Sequence, residues 1–224
     1  MSADEWDKLL AEIEACTRCR LHASRRRVVP GQGNKMAPAM LVGEAPGEKE
    51  DERGEPFVGS AGRLLTELIE DIGFKREDFY ITNVVKCRPP GNRAPEEDEV
   101  EACSRFLLRQ IELIKPKVVI ALGRHSSRTL FRLAGLKWIS MSANHGRSYK
   151  SSILGTEIKI IPTYHPASAL YNPGLKKILE EDFRGVIKSA VEEAIMSSKR
   201  KRYKTLFDFV NNDELIFTAR DVKQ

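Results

Sequence analysis

Residues 41–65 read LVGEAPGEKEDERGEPFVGSAGRLL. Apolar Met40, Leu41 and Val42 run into Gly43-Glu44-Ala45-Pro46-Gly47, which predicts a strand ending in a turn whose glycines let a ligand approach the backbone. The carboxyl edge of a sheet is where such ligands bind. Acidic residues crowd the segment up to Glu55, and Pro56-Phe57-Val58-Gly59 then puts an aromatic element in a loop that composition assigns to solvent. A loop with a Phe among acids is expected to line a pocket; the plainer reading is a surface turn with incidental charge. Ser60 opens a helical pattern at Leu64, Leu65, Leu68 and Ile69 that stops at Gly73.

The same alternation extends outward. Upstream, Ser2 and Glu5 form a capping-box signal, and Trp6, Leu9, Leu10 and Ile13 predict a helix over 3–15. Downstream, Phe79-Tyr80-Ile81-Thr82 is a strand leading into Asn83-Val84-Val85-Lys86-Cys87, followed by the breaker-rich loop 88–93. Pro95 is expected at the first helical position, with Glu96, Glu97, Asp98 and Glu99 in a first turn whose dipole suits them. Val100, Cys103, Leu107, Ile111 and Ile114 form the apolar stripe of that helix, so Cys103 faces inward.

Residues 118–122 are a continuous apolar strand and Gly123-Arg124 starts another helix. Residues 135–157 form a long connection with room for a short strand, 158–161 are the last strand, and apolar spacing predicts a closing helix over 176–196. Strands alternating with helices imply an α/β fold, a largely parallel sheet covered on both faces.

At 224 residues, 41% of them hydrophobic, the chain can bury a full core. Its charge is mixed in sign, 31% of residues with a net of +5, which describes a solvated surface. Basic residues gather at 18–27, 88–93, 137–150 and 199–204, so an anionic polymer is the expected partner. The first ten residues start acidic without an apolar core, and eighteen apolar residues never run together. The expectation is therefore a cytoplasmic, nucleoid-associated chain without membrane contact.

Four cysteines in that compartment are poor candidates for disulfides. Cys16 and Cys19 have the two-residue gap of a metal-binding turn, and Cys87 and Cys103 come from a loop and the next helix. Four thiolates suit a structural zinc or an iron–sulfur cluster, and the bland alternative is free thiols with Cys103 in the core.

Taken together, GEAPG, PFVG, TNVVKC, the two-plus-one-plus-one cysteines and YHPA, spread over roughly residues 10–190, resemble the family-4 uracil-DNA glycosylases of thermophilic bacteria and archaea. The resemblance implies a three-layer α/β/α fold with a central four-stranded parallel sheet, and a 4Fe-4S cluster on Cys16, Cys19, Cys87 and Cys103. It also implies uracil-containing DNA as substrate and one catalytic domain over 1–196. Phe57 would stack on uracil, Asn83 would read its N3–H and O4, and His165 would bond O2 as negative charge builds there. Gly43 and Ala45 would line the same pocket. Glu44 would orient water or balance the sugar cation, and Glu50 would border the C5 side of the base.

Leu170 or Tyr171, after the HPA motif, would fill the space left by the flipped base, although family members commonly carry Arg where this chain has Tyr171. Arg88, Lys137 and Arg147 are candidate phosphate contacts. A related group traps its product through a basic insertion after Cys87. This chain has only RPPGNRAP there, so covalent trapping is not expected, and the activity that the resemblance implies is a monofunctional, non-lyase hydrolase. His22, His125 and His145 read as surface or structural.

The tail 197–224 is basic, and Leu206, Phe209 and Val210 form a partial sliding-clamp motif. The expected state is a monomer. Two other functions stay open at this point: a non-catalytic nucleic-acid-binding module with a structural metal on its four cysteines, and a nucleoside hydrolase.

Overall fold

The computed structural model describes residues 3–199. In chain order the elements are α1 (Ala3–Glu14), β1 (Gln32–Gly33), β2 (Ala39–Gly43), α2 (Glu48–Arg53), α3 (Ser60–Asp71), β3 (Phe79–Asn83), α4 (Glu97–Ile114), β4 (Val118–Leu122), α5 (Arg124–Leu133), α6 (Met141–Asn144), β5 (Tyr149–Ile153), β6 (Thr156–Thr163), α7 (Pro166–Ala169) and α8 (Pro173–Asp182). The closing helix is longer than its apolar spacing predicts. Asn172 caps it, accepting from the Leu175 amide, and it runs through a π turn at Phe183–Ile187 to residue 199.

One sheet orders its strands β1-β3-β2-β4-β6-β5. The inner four are parallel and the outer two antiparallel, so the expected four-stranded parallel sheet is the centre of a wider one. The added edges leave weak sequence signals. β1 is two residues long, and β5, YKSSI, is buried only at Ile153. The β5–β6 hairpin turns through Leu154 and Gly155, both at positive φ (48° and 74°), matching the twist of tight hairpins.

Side-chain alternation along each strand divides the core in two. Met40, Val42, Tyr80, Val119 and Ala121 face α1 and α4, sharing that side with Leu9, Ile13, Phe106, Leu107 and Ile111. Ala39, Leu41, Phe79, Ile81 and Ile120 face the other way, onto Leu65 and Ile69 of α3 and Leu179, Phe183 and Ile187 of the closing helix.

Helix α4 starts later than expected. Glu96 is its cap and Pro95 lies outside, because the Glu99 carboxylate folds back to accept the Glu96 amide at 2.8 Å, forming a capping box. Arg93 grips the same buried carboxylate with two bonds of 2.9 and 2.7 Å.

β2 comes first among the parallel strands, with β3 on one side and β4 on the other. Chain direction therefore reverses its progress across the sheet at β2, and in such sheets ligands bind beyond the carboxyl ends of the strands at this switch point. Those ends deliver Gly43 and Glu44 from β2, Asn83 from β3, Gly123 after β4, and His165 shortly after β6. Among the described residues no helix is long and apolar enough to cross a membrane. The expected clamp-binding residues Leu206, Phe209 and Val210 lie outside the described residues.

Candidate active site

Gly43, Phe57, Asn83 and His165 converge at the switch point. A Cβ on Gly43 would strike the Asn83 side-chain oxygen and sit 2.6 Å from Phe57 Cζ, so the bare turn is what lets ring and amide meet. Gly43→Ala is accordingly expected to push the Phe57 ring and the Asn83 amide apart while the protein still folds; circular dichroism beside a crystal structure of the variant checks both.

The Phe57 ring is held there at a cost. Its φ is +52°, in the left-handed region that a bulky residue avoids by roughly 1–2 kcal/mol. Three contacts impose it. Glu50 Oε1 accepts the Val58 and Gly59 amides at 2.8 and 2.9 Å, and Arg76 donates to the Pro56 carbonyl at 3.1 Å. Helix α3 also passes so close at Gly62 that a Cβ there would collide with the Phe57 carbonyl. Glu50 thus organises the loop that carries the ring, a role its sequence position did not suggest, and its charge also acts on His165.

Asn83 is 1% exposed, and its Oδ1 is the one buried side-chain polar atom without a hydrogen-bond partner among the described residues. An unmet buried acceptor costs about 1–3 kcal/mol, which marks Asn83 as a candidate ligand contact. His165 stacks on Phe57 with ring centroids 5.7 Å apart and planes at 26°. Its Nδ1 accepts the Ala167 amide at 3.1 Å, capping α7, so the ring proton of the neutral form sits on Nε2. Burial pushes its pKa down to about 4, although the Glu50 carboxylate works the other way. The side chain is therefore a neutral imidazole with a directed N–H. Since the two rings touch, a base stacked on Phe57 must use a part of the ring that His165 leaves clear or displace the imidazole.

Glu44 is half-buried and faces a different neighbour. It lines a cavity with His125, Arg128 and Arg132 of α5. Burial raises its pKa, opposed by the charges of His125 and Arg124. His125 thereby acquires a context at the site that its sequence did not indicate. Ala45 is half-buried against the α4 side of the core.

His145 meets the structural expectation. Its Nδ1 lies 3.1 Å from buried Asp182, which also accepts from Thr163 Oγ1 at 2.7 Å, and its ring packs 5.1 Å from Tyr164. This brace fixes the strand end that leads to His165.

Leu170 and Tyr171, just past α7, are 38% and 92% exposed. Large apolar surface left in water beside a pocket suits insertion into a partner. Arg147 and Lys137 are exposed. Arg88 is partly committed, donating to Asn92 Oδ1 at 2.8 Å and lying 3.8 Å from Glu48.

On the α1–α4 side, Cys16, Cys19, Cys87 and Cys103 line one space. Helix α1 delivers the first pair, the loop after β3 the third, and α4 the fourth. Two sulfurs already receive N–H donors: Lys86 N to Cys103 Sγ at 3.3 Å and Arg25 Nη1 to Cys87 Sγ at 3.2 Å. As thiols they are resistant to ionisation; burial raises Cys19 and Cys87 and takes Cys103 to about 12. A metal held by Cys19, Cys87 and Cys103 would have to displace their protons. Yet among the described residues no three His, Cys, Asp or Glu side chains are placed to hold a metal ion. Four cysteine sulfurs gathered around one space are a donor set of the kind that holds a structural zinc or an iron–sulfur cluster.

The sequence matches the family described as the Uracil DNA glycosylase superfamily over residues 30–187. It is 54% identical over 184 residues to the type-4 uracil-DNA glycosylase of Saccharolobus solfataricus, covering 82% of this chain and 85% of that protein. It is 44% identical over 204 residues to that of Archaeoglobus fulgidus, covering 91% and 98%. With the enzyme of the same name from Thermotoga maritima it shares 48% over 172 residues, 76% and 86% of the two chains. The site with its orphaned amide, the four gathered cysteines and these likenesses agree: the chain belongs to the uracil-DNA glycosylase superfamily, in its type-4 group.

Proposed function

We propose that this protein is a DNA repair glycosylase that hydrolyses the N-glycosidic bond of deoxyuridine in DNA and leaves an abasic site. The observation that carries the reading is the unpartnered Asn83 Oδ1, buried beside Phe57 and His165. Uracil N3–H is the donor that oxygen lacks, and the amide NH₂ of Asn83 can donate to uracil O4. Cytosine offers a lone pair at N3 and an amino group at C4, so both contacts become clashes of like polarity. A site built this way rejects the wrong base strongly because its buried groups are left unpaired.

Chemistry follows from the same placement. Breaking the bond puts negative charge on the departing base and positive charge on the sugar. His165 Nε2–H stabilises the base through O2 without transferring a proton, which its low pKa suits. Glu44, the residue after Gly43, orients water or balances the sugar cation from the adjacent cavity it shares with His125. The base must leave the helical stack first, at a cost of roughly a few kcal/mol, and Leu170 or Tyr171 fills the gap while Arg88 and Arg147 hold phosphates. Gly43 lets the base reach the pocket floor.

Cys16, Cys19, Cys87 and Cys103 would hold a 4Fe-4S cluster, which supplies a cross-link between α1, the loop after Asn83 and α4 when bound. Purified protein is expected to be brown and to contain iron, with Cys103→Ser lowering both iron content and melting temperature. A colourless protein holding only zinc would contradict the cluster.

The activity is tested with a single-uracil oligonucleotide, incubated with the protein and then treated with alkali. Strand breaks after alkali, and none without it, support a monofunctional glycosylase. An intact strand after both treatments would refute the proposal.

A further inference from the structure

Lys86 is 1% exposed, an unusual place for an amine. Its Nζ lies 2.7 Å from each of three oxygens: Thr82 Oγ1, the Asn83 main-chain carbonyl and Gln110 Oε1. The surrounding bonds fix all three as acceptors. Thr82 Oγ1 spends its proton on the Pro30 carbonyl at 2.8 Å. Gln110 donates its amide group to the same carbonyl at 2.8 Å and to Tyr80 OH at 3.2 Å, which leaves Oε1 facing the amine. Three acceptors match the three N–H groups of an ammonium, and none of them is a carboxylate.

A buried amine satisfied only by neutral oxygens is a poor source of stability, because apolar packing of the same volume does as well. What the arrangement provides is position. Asn83 stands at the last residue of β3, where its side chain leaves the sheet for the pocket, and Lys86 holds the carbonyl of that same residue. Through its own amide Lys86 also meets Cys103, and Gln110 lies on the same helix, α4, two turns beyond that cysteine.

We infer that Lys86 is a positioning residue for base recognition: its buried amino group pins the Asn83 main chain against α4 and so aims the Asn83 amide at the base. The inference rests on the proposed base-reading role of Asn83. It assigns Lys86 no contact with substrate, and it makes the wall between the cysteine space and the base pocket a single hydrogen-bonded unit.

A double-mutant cycle with the full chain tests it, using single-turnover excision from a uracil oligonucleotide. Lys86→Met is expected to slow excision by about tenfold or more, while affinity for a duplex carrying an abasic site stays within about twofold. In an Asn83→Ala background the same substitution is expected to cost less than about threefold, because the residue it positions is gone. Equal losses in the two backgrounds, or an abasic-site affinity that falls as much as the rate, would overturn the inference, since a general structural role acts without regard to Asn83. Should Lys86→Met fail to fold, Gln110→Met, which strips one acceptor from the amine, takes its place and is judged by the same two criteria. An Asn83→Ala protein that excises uracil at the full rate would instead overturn the base-reading role itself.

Discussion

Asn83→Ala is expected to slow uracil excision by about 10²–10³-fold, the scale of losing directed hydrogen bonds in a water-excluded site, without a matching loss of stability. Two terms set the stability change. Truncation removes packing from a residue that is 1% exposed, which destabilises. It also removes an acceptor that no protein group satisfies, which relieves about 1–3 kcal/mol. These are similar in size and opposite in sign, so the melting temperature should stay near that of the wild type while the rate collapses. Differential scanning calorimetry beside single-turnover excision reads both. Matched losses of activity and stability would mean that Asn83 is an ordinary core residue.

His165→Ala is expected to cost about as much in rate, again roughly 10²–10³-fold, because the donor to O2 disappears just where charge accumulates. Unlike the Asn83 variant it should also lower stability, by about 1 kcal/mol, because Nδ1 caps α7. The low pKa adds a signature in pH. His165 has a folded value of about 4 against an ordinary 6.5, so between those values the unfolded chain binds the proton and the folded one does not. Stability therefore rises with pH across that window and its contribution is complete above it, amounting to about 3 kcal/mol at most. The excision rate should show no titration of this histidine between about pH 5 and 8. His165→Gln should remove the stability slope over pH 4–6.5 and keep part of the rate; a slope unchanged in that variant would show that the imidazole is not held neutral.

The residues that were legible in the sequence lie where local chemistry is unambiguous. Strands that end in or just before Gly43, Asn83 and Gly123 announce a parallel sheet with its ligand edge, because apolar runs stopped by turn residues mean little else. Phe57 was legible because an aromatic between acids has no reason to sit in solvent. What stayed hidden depends on tertiary contact. Nothing around Glu50 says that its carboxylate will collect two amides from the Phe57 loop, or that His125 will share a cavity with Glu44. Lys86 reads as a loop lysine, and only the packing of α4 onto the β3 end reveals its three acceptors. The start of α4 was misplaced because a Pro followed by acids mimics a first turn, whereas the folded-back Glu99 marks Glu96 as the cap. The two-residue β1 was missed, and β5 was foreseen only as room for a short strand within 135–157, because a two-residue strand and a polar one carry almost no periodic signal.

The central claim is that one pyrimidine is gripped at once by the Phe57 face, the Asn83 amide and the His165 imidazole. A crystal structure of the protein with bound uracil tests it most directly. The account predicts uracil against the Phe57 ring, with N3 within hydrogen-bonding distance of Asn83 Oδ1 and O2 within reach of His165 Nε2. Uracil bound elsewhere, or at this site with its N3 edge turned away from Asn83, would contradict it.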